Sequence, residues 1–372
     1  MKRTSMWGAL AVLGAWCATS ATGAWAQSSV TLYGIVDTGV RYMTHVNRAG
    51  DASLRLMDSG TQQSRFGLLG SEDLGGGLSA IFRLESRINM NNGQQANSPI
   101  LFNTAFVGLR STTYGALMVG RQFSVLIDVV SRTYASNGWL PYTYSFQPEI
   151  IAMGGTWSSN MTKYAVRMGD VLGEMSYAFG STAGHTSYGS QFGVGVSYAP
   201  SDGVRGAAGF TDTRDSLNGS HLKVATVGGG YRLGKSEIHA TFYGNWRDVA
   251  FHTYDNGPFT AATLAALKFT DFRVRRMFGI GISHAVLDNL NVGVNFWRTL
   301  QRGNTASLDG SASQFQVVGD YALSKRTSLY AETDYAMYRG GTIGAQLQGI
   351  NGLGTAAQST QLGMMAGMRH AF

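Results

Sequence analysis

From Ser28 onward the chain repeats one pattern: segments of about ten residues in which apolar and polar side chains alternate, separated by turns and longer loops. A period of two puts successive side chains on opposite faces of a β-strand. The stretch from Arg65 to Arg87 shows it most clearly, as a strand, a tight turn and a second strand. The turn carries Glu72 and Asp73, then Gly75, Gly76 and Gly77, which accept positive φ at no steric cost. Beyond it Ala80, Phe82 and Leu84 share one face, while Ile81, Arg83, Glu85 and Arg87 share the other. An apolar face backed by a charged one suits a wall with hydrocarbon outside and water inside. Over so short a stretch, a hairpin in a two-sheet sandwich reads the same way.

The whole chain separates the two readings. Alternation predicts strands at Val30–Thr44, Leu54–Gly70, Leu78–Met90, Leu101–Arg110, Ala116–Ser124, Asn160–Met168, Leu172–Gly180 and Ser190–Ala199. It continues at Val204–Asp212, His221–Arg232, Glu237–Arg247, Asp271–His284, Leu290–Gln301, Ser313–Leu323, Thr327–Tyr338 and Thr360–Phe372. About sixteen strands is an even number, as a single-chain transmembrane barrel requires. Tight turns at Ser71–Gly76, Thr112–Gly115, Gly169–Gly173, Pro200–Gly203, Leu233–Lys235, Val286–Asn289 and Ser324–Arg326 fall on the side where both chain ends lie. All five prolines, Pro99, Pro141, Pro148, Pro200 and Pro258, fall in turns or loops, where no ladder donor is lost. The rhythm breaks once, between Val125 and Ser158, in a loop with few charges and many aromatics. Loops of that length are usually functional or disordered, and this composition favours a packed one.

Composition sharpens the choice. Charged residues are 14% of the chain and glycines number 50, too little charge for the polar outer faces of a sandwich this long. The first residues read as an export signal: Met1-Lys2-Arg3, an uncharged apolar run from Met6 to Ala18, and the A-x-A site Ala24-Trp25-Ala26. Residues 1–26 are therefore expected to be removed, leaving a mature barrel domain over 27–372. Cleavage takes Cys17, so the mature chain has no disulfide or thiolate metal site, and the formal charge falls from +7 to +5 with the loss of Lys2 and Arg3. The expected fold is all-β, a closed antiparallel transmembrane barrel with its short turns and both termini periplasmic and its long loops extracellular.

Specific motifs then carry a resemblance. Ser29-Val30-Thr31-Leu32-Tyr33-Gly34-Ile35-Val36-Asp37, Arg65-Phe66-Gly67, Glu72-Asp73-Leu74-Gly75-Gly76-Gly77-Leu78 and Phe106-Val107-Gly108-Leu109 open the series. Val119-Gly120-Arg121-Gln122, Asn160-Met161-Thr162-Lys163-Tyr164, Tyr321-Ala322-Leu323-Ser324-Lys325-Arg326-Thr327 and the terminal Gly367-Met368-Arg369-His370-Ala371-Phe372 complete it. With these, spread over the mature length, the chain resembles the general porins of Gram-negative bacteria, particularly the trimeric sixteen-stranded porins of betaproteobacteria. The resemblance implies a homotrimer in the outer membrane, in contact with lipid and lipopolysaccharide, passing small ions and solutes without a cofactor. Phe372 resembles the terminal aromatic read by the outer-membrane assembly machinery. It further implies that the third extracellular loop, here 125–158, folds inward and narrows a water-filled channel. In such porins wall arginines face acids on that loop. Arg65 and Arg121 match two wall positions, Pro148-Glu149 followed by Gly154-Gly155 resembles the acidic part of the loop, and Asp128 is a second acid. Ser158 and Ser159 stand where the family often has a further wall arginine, and Ser145 replaces a second loop acid.

Parity places Arg41, Arg65, Arg83, Arg87, Arg121, Lys163 and Arg167 on the wall, against Asp37, Glu85, Asp128, Glu149, Glu332 and Asp334. Arginines cannot be deprotonated, so this balance predicts a mild anion preference; the competing reading is that internal ion pairs hold most of these charges and set only the width. A substrate-specific channel is a second possibility, because Tyr134, Trp139, Tyr142, Tyr144, Phe146 and Trp157 offer a stacking path for sugars. A barrel enzyme needs a nucleophile and a base aligned by a third group. The histidines, His45, His185, His221, His239, His252, His284 and His370, lie on separate segments with no nucleophile motif beside them. Glu237 and His239 share a face but more often such a pair lines a lumen than binds metal. No basic run with interleaved aromatics points to nucleic acid.

Overall fold

In the computed structural model, residues 28–96, 100–133, 146, 148–149, 155–252, 271–344 and 358–372 are described. The expected signal 1–26 and part of the loop 125–158 lie outside them. The strands are β1 Ser28–Met43, β2 Ser53–Asp58, β3 Arg65–Gly75, β4 Leu78–Arg87, β5 Thr104–Ser111, β6 Gly115–Phe123, β7 Trp157–Met168, β8 Val171–Ala178 and β9 Gln191–Tyr198. They continue as β10 Gly203–Arg214, β11 His221–Leu233, β12 Ser236–Arg247, β13 Phe272–Leu287, β14 Leu290–Gly303, β15 Gly310–Ala322, β16 Thr327–Gly340 and β17 Thr360–Ala371. One helix, α1, spans Val125–Thr133. Each strand pairs antiparallel with its sequence neighbour, and β1 pairs with β17, so the sheet closes. The seventeen segments make sixteen staves, because β2 and β3 are two halves of one stave against β1.

Closure leaves no strand edge, as a wall in hydrocarbon demands. Phe372 completes the seam: its amide donates to the Gly34 carbonyl at 3.0 Å, and its carbonyl accepts from the Gly34 amide at 3.1 Å. Its ring lies over Gly34, where a Cβ would collide with it. The first turn forms as its glycines predict, with Gly75, Gly76 and Gly77 at φ of 85°, 60° and 78°. Along the strands the alternation holds in space. Val40, Leu56, Val107, Val119, Val196, Phe278 and Val317 face outward and are exposed, while Asp37, Arg41, Glu85, Ser197, Glu237, Gln316 and Asp334 face inward and are buried.

Two departures from the expected strands matter. The strand expected over Leu54–Gly70 is broken: Ser59–Ser64 leave the wall and fold over Asp37. The Asp37 carboxylate accepts from the amides of Gly60 at 3.0 Å, Thr61 at 2.9 Å and Gln62 at 2.8 Å, and from the hydroxyls of Thr61 at 2.5 Å and Tyr330 at 2.7 Å. Its own amide and carbonyl bond the Ser64 hydroxyl. One buried acid thus satisfies an irregular segment that water would otherwise have to satisfy. The second departure is α1, in a region whose lack of period two predicted only a loop. Its sequence is periodic at the helical spacing instead, with Val125, Leu126, Val129 and Val130 on one face and all 0% exposed. Asp128 sits in the first turn, where the helix dipole favours an acid.

Replacing Asp37 by Ala leaves three amides and two hydroxyls without their acceptor. Hydrogen bonds to a charged group contribute about 1.5–3 kcal/mol each, so D37A is expected to lose at least that much stability. Gel mobility on heating reads it: the folded band should convert to the unfolded one at lower temperature, and an unchanged transition would contradict the anchoring role.

Candidate functional site

The loop after β6 folds into the barrel. Helix α1 lies against the inner faces of β8–β11, and those faces are cut back to receive it. Along β9 every inward residue is small or polar: Gln191, Gly193, Gly195 and Ser197. A Cβ on Gly193 would stand 2.9 Å from Val125 Cγ2, one on Gly195 2.9 Å from Val129 Cγ1, and one on Gly209 2.9 Å from Leu126 Cδ2. Burying each of the four apolar residues of α1 is worth roughly 1.5–3 kcal/mol, and the glycines are what let the helix come close enough to do it. Farther along, Phe146 packs edge-on against Trp297 with ring centroids 5.2 Å apart, and Trp297 Nε1 donates to Glu149 Oε1 at 2.8 Å. Trp297 faces inward from β14, so the loop is held at two places on the interior wall. Around it Leu222, Val224, Tyr243, Met277, Ala312 and Ala336 form an apolar patch on the otherwise polar inner faces of β11–β16.

The opposite wall, from β16 through β17 and β1 to β4, is charged. Arg41 reaches across β17 to Glu332 at 3.1 Å and Asp334 at 2.6 Å, with all three side chains at most 1% exposed. Gly363 is the floor of that crossing, since a Cβ there would strike both Arg41 and Asp334. Lower on the wall, Glu85 accepts from Arg83 at 2.6 Å and from Tyr33 at 2.7 Å, and Arg65 lies 3.4 Å away. Arg83 also donates to Tyr33 at 2.7 Å. Here exposure divides the charges: Glu85 is 3% exposed, against 23% for Arg65 and 34% for Arg83. Arg87 stands directly opposite Arg65 in the ladder, with its guanidinium 5.8 Å from the Trp157 ring.

Arg41, Arg65, Arg83, Arg87, Asp37, Glu85, Glu332 and Asp334 gather on one wall, and the ion pairs of Arg41, Arg65 and Arg83 close within it. The loop acids bind elsewhere: Asp128 pairs with Lys163 at 2.5 Å, and Glu149 accepts from Trp297. Arg121 of β6 keeps its Nε and Nη2 buried and donates to Ser159 at 2.6 Å. The β6–β7 register shifts beside it, between Gly120 and Gln122. Arg167 faces inward near the short-turn end and is exposed.

Sequence reasoning missed a second cluster of the Glu85 kind. Glu237, 0% exposed, accepts from Arg205 at 3.1 Å and Arg232 at 2.7 Å, which are 12% and 18% exposed. The signal was present in the inward parity of all three residues, which register then brings together across β10–β12. Of the loop aromatics, Phe146 and Trp157 pack on the wall, Trp157 stacking on Phe123 at 5.3 Å. Tyr134, Trp139, Tyr142 and Tyr144, with Ser145 and Gly154, lie outside the described residues. Among the described residues no group of His, Cys, Asp and Glu has the geometry of a metal site.

A family model described as Gram-negative porin matches residues 9–341. The outer membrane porin protein 32 of Delftia acidovorans is 28% identical over 98% of both chains. An outer membrane porin protein of Bordetella pertussis is 30% identical over 83% of this chain and 89% of its own. Among solved structures, an anion-selective porin from Comamonas acidovorans superposes with a TM-score of 0.70 at 26% identity, covering 93% of this chain and 100% of the other.

If the β9–β10 glycines seat α1, then Gly195→Leu and Gly209→Leu push the helix toward the axis. Single-channel conductance in a planar bilayer is expected to fall in both variants. Unchanged conductance with a folded barrel would place the narrowest section away from α1.

Proposed function

The chain belongs to the Gram-negative porin family and forms a channel for passive diffusion across the outer membrane, and on that premise we propose that its channel favours small anions and that three copies assemble. The observation carrying the anion preference is the unequal exposure of the two signs of charge on one wall. Formal counts nearly cancel there, but the carboxylates of Glu85, Glu332 and Asp334 are 0–3% exposed while Arg65 and Arg83 are 23% and 34% exposed. A passing ion therefore meets guanidinium groups first. At roughly 6 Å and an effective dielectric of 20 to 80, one such charge biases an ion by about 0.7–3 kcal/mol, which is a preference and not an exclusion. Arg65, Arg83 and Arg87 form the constriction wall in this reading, with Asp128 and Glu149 holding the loop opposite them. The sign agrees with the description of the Comamonas acidovorans relative as anion-selective.

The assembly proposal rests on the outer wall. Val107, Leu109, Leu117 and Val119 on β5 and β6 make an exposed aliphatic face. A plain aliphatic outer face suits close packing against the same face of another copy. The short turns and both termini are then periplasmic, and Phe372 is placed for recognition by the assembly machinery.

Conductance and reversal potential in a potassium chloride gradient test the reading. Wild-type protein is expected to insert in steps of three and reverse toward the chloride potential. Arg65→Gln with Arg83→Gln should move the reversal potential toward zero, and Glu85→Gln should move it further toward chloride. Cation-side reversal in the wild type would refute the anion proposal.

A further inference from the structure

The inward face of β3–β5 breaks its own polar pattern in one row. From Arg65 to Ser71 the inward positions of β3 are Arg65, Gly67, Leu69 and Ser71, and those of β5 are Thr104, Phe106, Gly108 and Arg110. Leu69 and Phe106 are the large apolar side chains among them. The ladder puts both beside Arg83, with Leu69 opposite it on β3 and Phe106 opposite it on β5. Directly opposed residues of an antiparallel pair share a face, so the three side chains stand together on the channel side. Leu69 is 41% exposed, Phe106 is half-buried and Arg83 is 34% exposed. Neighbouring strands lie about 4.8 Å apart, so the bases of the two apolar side chains stand roughly 10 Å apart with the arginine between them.

The guanidinium in that row is held in place with part of its donor capacity left over. Arg83 Nε donates to the Tyr33 hydroxyl at 2.7 Å and Nη2 to Glu85 at 2.6 Å, which leaves Nη1 without a partner among the described residues. The guanidinium also lies 5.2 Å from the centre of the Tyr33 ring. An apolar side chain facing water gains by being covered, and a fixed cation with a free N–H gains by meeting an anion. A ligand that does both carries an anionic group beside a flat apolar body. The cluster around Glu237 lacks this combination. There Arg232 stands between Gly203 and Glu237 in the ladder, with no apolar side chain on either side, and Arg205 stands opposite Gly230.

We propose that Leu69, Arg83 and Phe106 form a binding site on the channel wall for small aromatic carboxylates. The carboxylate accepts from Arg83 Nη1, and the ring lies on Phe106 with an edge toward Leu69. The site deepens the anion preference proposed above and rests on it. A halide or a phosphate has no surface for the apolar pair, and a neutral sugar leaves the guanidinium without an anion. Aromatic rings in offset contact gain beyond the area they bury, which favours a flat ring over a short aliphatic chain. Tyr33 and Glu85 already fix the guanidinium, so little side-chain freedom is lost on binding. One terminal nitrogen is offered, which keeps the contact weak enough for release, as conduction requires.

The test uses the purified full-length porin in planar bilayers, with potassium benzoate, potassium acetate and benzyl alcohol added to a fixed potassium chloride background. The readout is the concentration of each that halves the chloride current. In the wild type benzoate is expected to act at a concentration about fivefold below that of acetate, the gain one ring contact gives, and benzyl alcohol is expected to have no effect. The variant carrying Leu69→Ser and Phe106→Ser should bring benzoate to the acetate value, and Arg83→Gln should weaken benzoate by a similar factor. Phe106→Ser alone should remove part of the difference and keeps the test decisive if the double variant does not fold. Leu68→Ala, on the outward face of the same strand and 38% exposed, should keep the wild-type ratio. Equal action of benzoate and acetate in the wild type, an unchanged ratio in the serine variants, or block by benzyl alcohol as strong as that by benzoate would each overturn the proposal. Reversal potential is read on the same bilayers. Reversal toward chloride without benzoate block defeats the site alone, whereas reversal on the cation side defeats the anion reading beneath it.

Discussion

No backbone amide or carbonyl can be left unpaired in hydrocarbon, and the rest of this molecule follows from that constraint. It forces the strands into a closed ring, in which β1 has to serve β17 on one side and both halves of the interrupted second stave on the other. Where the ladder is interrupted opposite Val36 and Asp37, it is repaired on the water side by a carboxylate and not left to lipid. A ring of sixteen staves also encloses more space than wall side chains fill. The loop between β6 and β7 occupies part of it, packing its helix on glycines and its acid on a tryptophan. What remains open runs beside the charged wall.

That wall is built by sinking acids and leaving bases nearer the water. Glu85 and Glu237 each sit beneath two arginines, and Arg41 lies between two acids across a glycine floor. A buried carboxylate without partners would be strongly unfavourable, so each requires its guanidinium groups, and they in turn are fixed in orientation. The arrangement separates two properties that a count of charges confounds. Net charge on that wall is small, while its more exposed groups are the guanidinium groups of Arg65 and Arg83.

Much of this was legible in the residues. Period two located the staves within a few positions, and parity put Arg41, Glu85, Glu332 and Asp334 inside because inward and outward faces meet different solvents. Three things were not. The break at Ser59–Ser64 has no proline or glycine pair to announce it, and its cause, Asp37, lies on another strand. Arg121 follows a shift in the β6–β7 register that alternation alone does not reveal. The seat of α1 is written in QFGVGVSY as inward glycines, but a glycine alternating with valine reads equally as a plain lipid-facing strand until the helix that needs the space is in view. Parity assigns a side chain to a face; it does not say which of two opposite charges on that face lies uppermost.

Arginine shows why the face must be known before the charge is interpreted. Arg41 is locked across β17 and contributes rigidity, because its charge is spent on Glu332 and Asp334. Arg65 and Arg83 share one acid and keep part of their surface exposed. On the outer wall Arg276 and Arg339 are exposed and form no ion pair among the described residues. A single residue type thus stands buried between two acids, half-exposed beside a shared one, or exposed on the outer wall without an ion pair among the described residues. The composition-level charge of +7 is the sum of these unlike contributions and predicts none of them.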